Sequence, residues 1–321
     1  MYESSIPANR VPSFFETIFS YPDALRVRGS IILTILPNVL SVTLFATAVA
    51  VANDRLSSRI GLPNTLVGSF SVVLGLLLVF RSNTAHDSFK EGRRVWSQLK
   101  TAVRNITRIV WLGVPAKTPE EIQEKAQMIR YLVAYVVATK HYLRGENGID
   151  YEDLEDLIPE EFRRHYLETL VPSSTPTHTP WILFRINRYV FRQRQANNID
   201  PQTGNILNTT LANMHDSFTN LERILLTPIP LAYRVHLKQS LYLYCFLLPF
   251  TLIDLHYLMI PLVTAVAFML FGIDGIGREI ENPFGYDLND LPLDRICEDL
   301  REEIEYVINT YPPGDMPASS G

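Results

Sequence analysis

A charge-free segment runs directly into a basic one with no turn residue between them, and this junction constrains the fold more than any other feature. Residues Ile60 to Phe80 form 21 positions without Asp, Glu, Lys or Arg, whereas Arg81 to Arg108 hold seven Lys or Arg and two Asp or Glu. At ~1.5 Å per residue the first segment can cross the ~30 Å hydrocarbon core of a bilayer. Segments that leave a membrane toward the cytoplasm keep Lys and Arg in their flanks. The junction predicts a membrane helix that continues into the cytosol as a polar helix.

Three other apolar stretches also lack charged residues over lengths that suit membrane helices. Gly29 to Asn53 is uncharged for 25 residues, Gln239 to Ile253 for 15, and Leu255 to Ile273 for 19, with Asp254 between the last two. They predict two helical hairpins and four crossings, the third of which begins near Leu231. Four crossings place both termini on the cytosolic side. The alternative, that these segments are buried core helices, stays open at this point.

The region between the two hairpins is polar and shows helical periodicity without a useful alternating strand pattern. The chain is therefore expected to be all-α, with a cytosolic helical bundle continuing the membrane helices. Helices are predicted at Asp150–Leu170, Asn205–Leu226 and Asp294–Asn309, and a further one begins at Thr118-Pro119. Loops are predicted at Val171–Pro180 and Asn197–Gly204. We expect an N-terminal piece at 1–28 and a first membrane hairpin at 29–80, followed by a cytosolic region at 81–228. A second membrane hairpin is expected at 229–273, a C-terminal cytosolic piece at 274–310 and a disordered tail at 311–321.

Composition excludes several classes of function. A net charge of −5 argues against a nucleic-acid partner. The two cysteines, Cys245 and Cys297, give neither a disulfide framework nor a metal spacing. The sequence has no nucleophile–base set and no paired-carboxylate pattern, so we do not expect an enzyme. Met1 to Arg28 lacks the pattern of a cleaved signal peptide.

Three groups of residues resemble the bestrophin family. The stretch Phe80–Trp96, which reads FRSN and then EGRRVW, is similar to the signature at the end of the second membrane helix. The stretch Glu281–Leu293, which reads ENPFG and then NDLPL, is similar to the C-terminal signature in its bacterial, plant and fungal form. Ile229–Tyr233, IPLAY, is similar to an Ile-Pro element at a cytosolic constriction.

The resemblance implies a homopentamer in the bilayer around one central pore, which conducts chloride or other small inorganic ions passively. The second crossing would line a narrow neck, and a cytosolic vestibule would end in an aperture. On this basis the neck face comprises Thr65, Ser69, Val73, Leu76 and Phe80, which share one helical face by their spacing of three and four residues. The aperture comprises Ile229 and Pro230, and the vestibule charge comprises Arg81, Arg93 and Arg94. Each set also has a purely structural interpretation, as a packing face, a helix break and a solvated basic face.

The calcium clasp of the animal branch is a dense acidic run, and this sequence departs from it. Asn282 is followed in that region by only two acids, Asp287 and Asp290. Calcium prefers 6–8 oxygen ligands, several of them carboxylates. Backbone carbonyls can supplement two acids, but we expect no tight calcium site, no other metal and no cofactor. The leading function is an anion-selective channel, and the alternatives are a cation-conducting homologue and a non-conducting membrane scaffold or regulator.

Overall fold

The computed structural model describes residues 29–56, 61–146, 148, 150–169 and 178–311, and these residues are helical with no strand among them. They form two compact units. The first, the apolar unit, comprises the described part of Met1–Leu78 together with Leu237–Ile276. The second, the polar unit, comprises the described part of Val79–His236 together with Gly277–Gly321.

The helices follow one another along the chain with short connections. We number them α1 to α10 in chain order, and a 3₁₀ turn, Ile253–Leu258, separates α8 from α9. The bounds are α1 Ile32–Leu56, α2 Asn64–Gly113, α3 Pro119–Leu143, α4 Glu152–Glu155, α5 Glu160–Thr169, α6 His178–Gln195, α7 Pro201–Leu226, α8 Leu231–Thr251, α9 Met259–Glu279 and α10 Leu293–Thr310.

The predicted junction is confirmed, because α2 is a single helix of 50 residues that passes from the charge-free segment into the basic one without interruption. Three stretches of the described residues are long and apolar enough to cross a membrane: Ile32–Arg55, Val67–Gly113 and Ile253–Glu279. Helix α8, the predicted third crossing, falls outside this set by composition. It has 21 residues and carries Arg234 and Lys238 in its first turns.

Within the apolar unit, α1 packs against α8 and α9 through small and hydroxyl side chains as well as rings. The Thr43 and Thr264 hydroxyls lie 2.9 Å apart, and the Tyr242 hydroxyl donates to Asn38 Oδ1 at 2.8 Å. A Cβ at Gly275 would lie 3.0 Å from Ile35 Cγ2 and 3.1 Å from Ile31 Cδ1, so glycine lets these isoleucine side chains of α1 and its start approach α9 closely. Hydroxyl bonds and small residues at helix contacts are typical of membrane bundles, where lipid removes the hydrophobic driving force between helices.

The polar unit has a continuous apolar core between α2, α3, α6, α7 and α10. Helix α3 starts as predicted, with Pro119 in its first turn. The Thr118 hydroxyl accepts a hydrogen bond from the Glu121 amide at 3.3 Å, and the Glu121 carboxylate accepts one from the Thr118 amide. The core is formed by residues that include Trp96, Leu99, Ile106, Ile129, Leu132, Tyr135, Ile182, Ile186, Leu211, Phe218, Phe284, Leu300 and Ile304.

Three predicted boundaries are wrong, and each lies at a proline. The helix predicted at Asp150–Leu170 is two helices, α4 and α5, because Pro159 lacks an amide hydrogen and disfavours helical geometry in the residue before it. Pro180 lies inside the first turn of α6 rather than in the preceding loop. Helix α7 begins at Pro201 and not at Asn205, because the Asp200 carboxylate caps it by accepting from two amides at 2.9 and 3.0 Å.

Several predictions fall on the margins of the described residues. The predicted N-terminal piece at 1–28, most of the first hairpin turn and the loop at 171–177 lie outside the described residues, as does all but the first residue of the predicted tail at 311–321. Tyr311 itself follows α10, and its carbonyl accepts from Trp111 Nε1. Both cysteines are free thiols and both are buried.

Candidate pore-lining face and aperture turn

The predicted neck face lies uncovered on α2. In the apolar unit, Thr65, Ser69, Val73 and Leu76 are all exposed, while Val67, Leu74 and Leu78 are buried. Ser69 Oγ donates to the carbonyl of Thr65 at 3.0 Å, so its hydroxyl is partly satisfied by the helix. The neighbouring Val72 is exposed as well, at 73%. The part of α2 that belongs to the apolar unit therefore contacts the rest of that unit along one narrow stripe and leaves most of its apolar surface open.

Phe80, the last predicted neck residue, belongs to the polar unit. Its side chain is 56% exposed and lines a cavity of about 430 Å³ together with Ile229 and Pro230. The structure thus brings the last neck residue and the two aperture residues to one cavity. The same cavity is lined by Arg81, Thr84, Ser88, Ile224, Thr227, Pro228, Tyr233 and Glu281.

The aperture turn between α7 and α8 is fixed by one carboxylate. Because Pro228 and Pro230 have no amide hydrogen, Ile229 supplies the single backbone donor of this tripeptide. That amide donates to Glu281 Oε1 at 3.1 Å. The other oxygen, Glu281 Oε2, lies 3.6 Å from Arg81 Nη2. Glu281 therefore ties the turn to the start of the polar part of α2.

The three arginines of the predicted vestibule charge have different environments. Arg81 is 2% exposed, because the carboxylate of Glu281 holds its guanidinium inside the unit; its place in a vestibule stays a prediction. Arg94 is exposed, but it makes two hydrogen bonds to Glu91, at 2.8 and 2.7 Å, and these offset its charge. Arg93 is exposed and remains a candidate for an open positive charge.

The two signature stretches pack against each other. Phe284 is 0% exposed, and its ring lies where a Cβ on Gly92 would come within 3.2 Å of two ring carbons. Pro283 approaches the same point to 3.2 Å. Trp96, one turn further along α2, is also buried. The glycine of one signature therefore leaves the space that the phenylalanine ring of the other signature occupies.

The C-terminal loop uses its polar side chains on its own backbone. Asp290 Oδ2 accepts from the Asp287 amide at 2.8 Å, and Asn282 Oδ1 accepts from the Phe284 amide at 3.4 Å. Burial raises the pKa of Asp290, whereas Asp287 is exposed. Among the described residues no group of three or more His, Cys, Asp or Glu is placed to hold a metal ion. The absence of a tight calcium site stays a prediction, because backbone carbonyls could also serve as ligands.

An ionic network at the end of α3 was missed by sequence reasoning. Lys140 Nζ contacts Asp153 at 2.5 Å and Asp294 at 2.8 Å, and His141 Nε2 lies 2.9 Å from the other oxygen of Asp153. Burial pushes the pKa of Asp153 up, but the hydrogen bonds from His141 and Lys140 outweigh burial and lower that pKa to about 2. Arg144 adds two bonds to Asp294, at 2.8 and 2.7 Å. The local sequence contained one indication of this network, the two cations Lys140 and Arg144 one helical turn apart.

This network supports the C-terminal loop. The Arg144 guanidinium lies 4.0 Å from the centre of the Tyr286 ring, and its Nε donates to the Phe284 carbonyl at 3.4 Å. The Tyr286 hydroxyl donates to Glu146. The C-terminal loop, which packs on Gly92 through Phe284, is therefore also held by charged groups at the end of α3.

Comparison with known proteins agrees with this geometry. A family model described as bacterial/fungal bestrophin protein matches residues 19–306. A voltage-dependent anion channel-forming protein of Synechocystis is 40% identical over 289 residues, which cover 90% of this chain and 91% of the relative. One of Nostoc is 40% identical over 90% of this chain and 92% of the relative. A crystal structure of a mutated bestrophin homologue from Klebsiella pneumoniae has a TM-score of 0.73 and 28% identity, and the match covers 84% of this chain and 97% of that one. The chain is therefore an integral membrane protein, and it belongs to the bestrophin family in its bacterial and fungal branch.

Proposed function

We propose that the chain forms a channel that conducts anions passively across a membrane. The observation that carries the proposal is 40% identity over 90% of the chain to relatives named as voltage-dependent anion channel-forming proteins. The open apolar surface of α2 supports it, because a membrane helix that contacts its own unit along one stripe has surface left for other subunits and for a pore.

In the proposed assembly five copies surround one pore, each with four crossings and both termini in the cytosol. Helix α8 supplies the third of these crossings in chain order: its 21 residues span ~31 Å at ~1.5 Å per residue, and its two cations lie near its start, where they reach the interface. Native mass spectrometry in mild detergent should show a pentamer. A stable monomer or dimer would contradict the assembly.

One experiment in liposomes tests both passive conduction and the selectivity for anions over cations. Purified protein in a potassium chloride gradient should give a reversal potential near the chloride equilibrium potential. A reversal near the potassium potential would identify a cation-conducting homologue. Absence of current from an intact pentamer would favour the non-conducting scaffold.

The neck assignment is tested by two matched substitutions on α2. A ring of apolar side chains can exclude water from a narrow pore, so a hydroxyl introduced there should ease wetting and raise conductance. Leu76→Thr is expected to do so. Phe70→Tyr adds a hydroxyl at an exposed position about 120° around the helix from Leu76, outside the proposed face, and should leave conductance unchanged. Equal effects of the two changes would show that the proposed face is wrong.

A further inference from the structure

The polar unit has a cavity of about 540 Å³ between α3 and α6, away from the aperture turn. This volume lies within the ~300–1,000 Å³ range of small-molecule sites. Met128, Pro159 and the rings of Tyr131 and Tyr189 form its apolar wall. The remaining lining residues are Glu120, Gln123, Glu124, Gln127, Arg185, Arg188 and Arg192.

Tyr189 lines this cavity and can offer its phenolic hydroxyl to a ligand. Tyr189 is 4% exposed, and no hydrogen bond to its hydroxyl is found among the described residues. Burial raises the pKa of Tyr189 well above its ordinary value, so the hydroxyl stays protonated and can donate. An acceptor on a ligand in the cavity can take the hydrogen bond that this hydroxyl donates.

The cavity also holds two guanidinium groups that have no carboxylate partner among the described residues. Arg185 and Arg188 stand three positions apart on α6, and Arg185 lies 5.0 Å from the centre of the Phe162 ring. Arg192 is already paired with Glu124. Two open cations therefore face the single unpaired acid Glu120, and the cavity carries a net positive charge in a chain whose net charge is −5.

These features select the chemistry of a ligand. Guanidinium groups match the oxygens of phosphate in a planar, two-bond geometry, and a phenolic hydroxyl adds a further donor. A bare phosphate would leave the apolar wall uncovered. We propose that this cavity between α3 and α6 binds a small organic phosphate, with the phosphate on Arg185, Arg188 and Tyr189 and the organic part on the wall of Met128 and Pro159.

The test is calorimetric titration of the full-length protein in detergent with phenyl phosphate and with inorganic phosphate at constant chloride. We expect saturable binding, tighter for phenyl phosphate. Arg188→Gln should weaken the affinity about ten- to hundredfold, because it removes a charged hydrogen bond. Tyr189→Phe keeps the ring and should weaken it about fivefold, as the loss of one neutral hydrogen bond predicts. Glu120→Gln should tighten it, because it removes the opposing charge.

The control is Arg295→Gln, which removes an arginine on α10 that is 70% exposed and lies outside the cavity. Its affinity should equal that of the unaltered protein. Tyr189→Phe deletes one oxygen and should leave the melting temperature nearly unchanged, so its affinity reports on the site. No saturable binding at millimolar ligand, or equal affinities for the Arg188 and Arg295 variants, would overturn the proposal.

Discussion

Replacing Gly92 by alanine should destabilise the protein, although the same change usually stabilises a helix. Alanine is favoured over glycine inside a helix by about 1 kcal/mol. At Gly92 the new Cβ would lie 3.2 Å from Phe284 Cε1 and Cζ and from Pro283 Cγ. Carbon atoms attract best at ~3.5–4.0 Å, so each of these contacts is repulsive. The Phe284 ring is fully buried, so it can move away from a new methyl group only by displacing the side chains around it.

The net effect follows from the two opposing contributions. Overpacking a dense core costs ~1–3 kcal/mol, against the helical gain of about 1 kcal/mol. Gly92→Ala should therefore lower the free energy of unfolding by up to about 2 kcal/mol. The control is Gly113→Ala in the same helix, where a Cβ meets nothing within 4 Å. That variant should be neutral or slightly stabilised.

Thermal melting in detergent, followed by intrinsic fluorescence, compares the two variants. A double-mutant cycle assigns the cause, because Phe284→Leu removes the ring edge that the new methyl group meets. In the Phe284→Leu background Gly92→Ala should cost less, because only the contact with Pro283 remains. If Gly92→Ala stabilises the native chain as much as Gly113→Ala does, the packing of the two signatures is not what requires glycine.

Three further outcomes are expected. The pKa of Asp153 in the fold, about 2, lies below its usual 3.8, so its contribution to stability is complete above about pH 4 and lost as pH falls to 2. Asp153→Asn should remove about 2 kcal/mol at neutral pH and flatten the acid side of the melting profile; an unchanged profile would contradict this. Ile229→Ala should raise the permeability of large anions relative to chloride, whereas Leu226→Ala, three positions earlier at the end of α7, should not; equal ratios would remove Ile229 from the aperture. Channel openings in strong chelator should match those in micromolar calcium, and silence that calcium reverses would reveal a clasp built on backbone oxygens.

Local patterns predicted the helices well. The charge segregation at Arg81 predicted the 50-residue helix α2, because both halves obey one helical period and nothing between them breaks it. Thr118 and Glu121 predicted the start of α3, since capping depends on neighbours along the chain. The errors at Pro159 and Pro180 arose where a proline could either end one helix or begin the next.

Interactions distant in the sequence could not be predicted in this way. The burial of Arg81 depends on Glu281, which arrives from the other end of the chain. Lys140 meets Asp294 for the same reason, through the packing of α10 on α3. The resemblance between signatures indicated that these stretches matter, but it did not indicate that Phe284 rests on Gly92. Such contacts follow from the tertiary packing of helices, which periodicity within one helix does not encode.

The burial of both native thiols makes the unaltered chain suitable for chemical probing. Cys245 is 0% exposed and Cys297 4%, and burial raises the pKa of Cys297 to about 12. Maleimides and methanethiosulfonates react with the thiolate, so native cysteines in these positions stay silent. A single cysteine introduced at an exposed site of α2 would then be the only reactive one among the described residues. Accessibility could be scanned along the helix without first replacing the native cysteines.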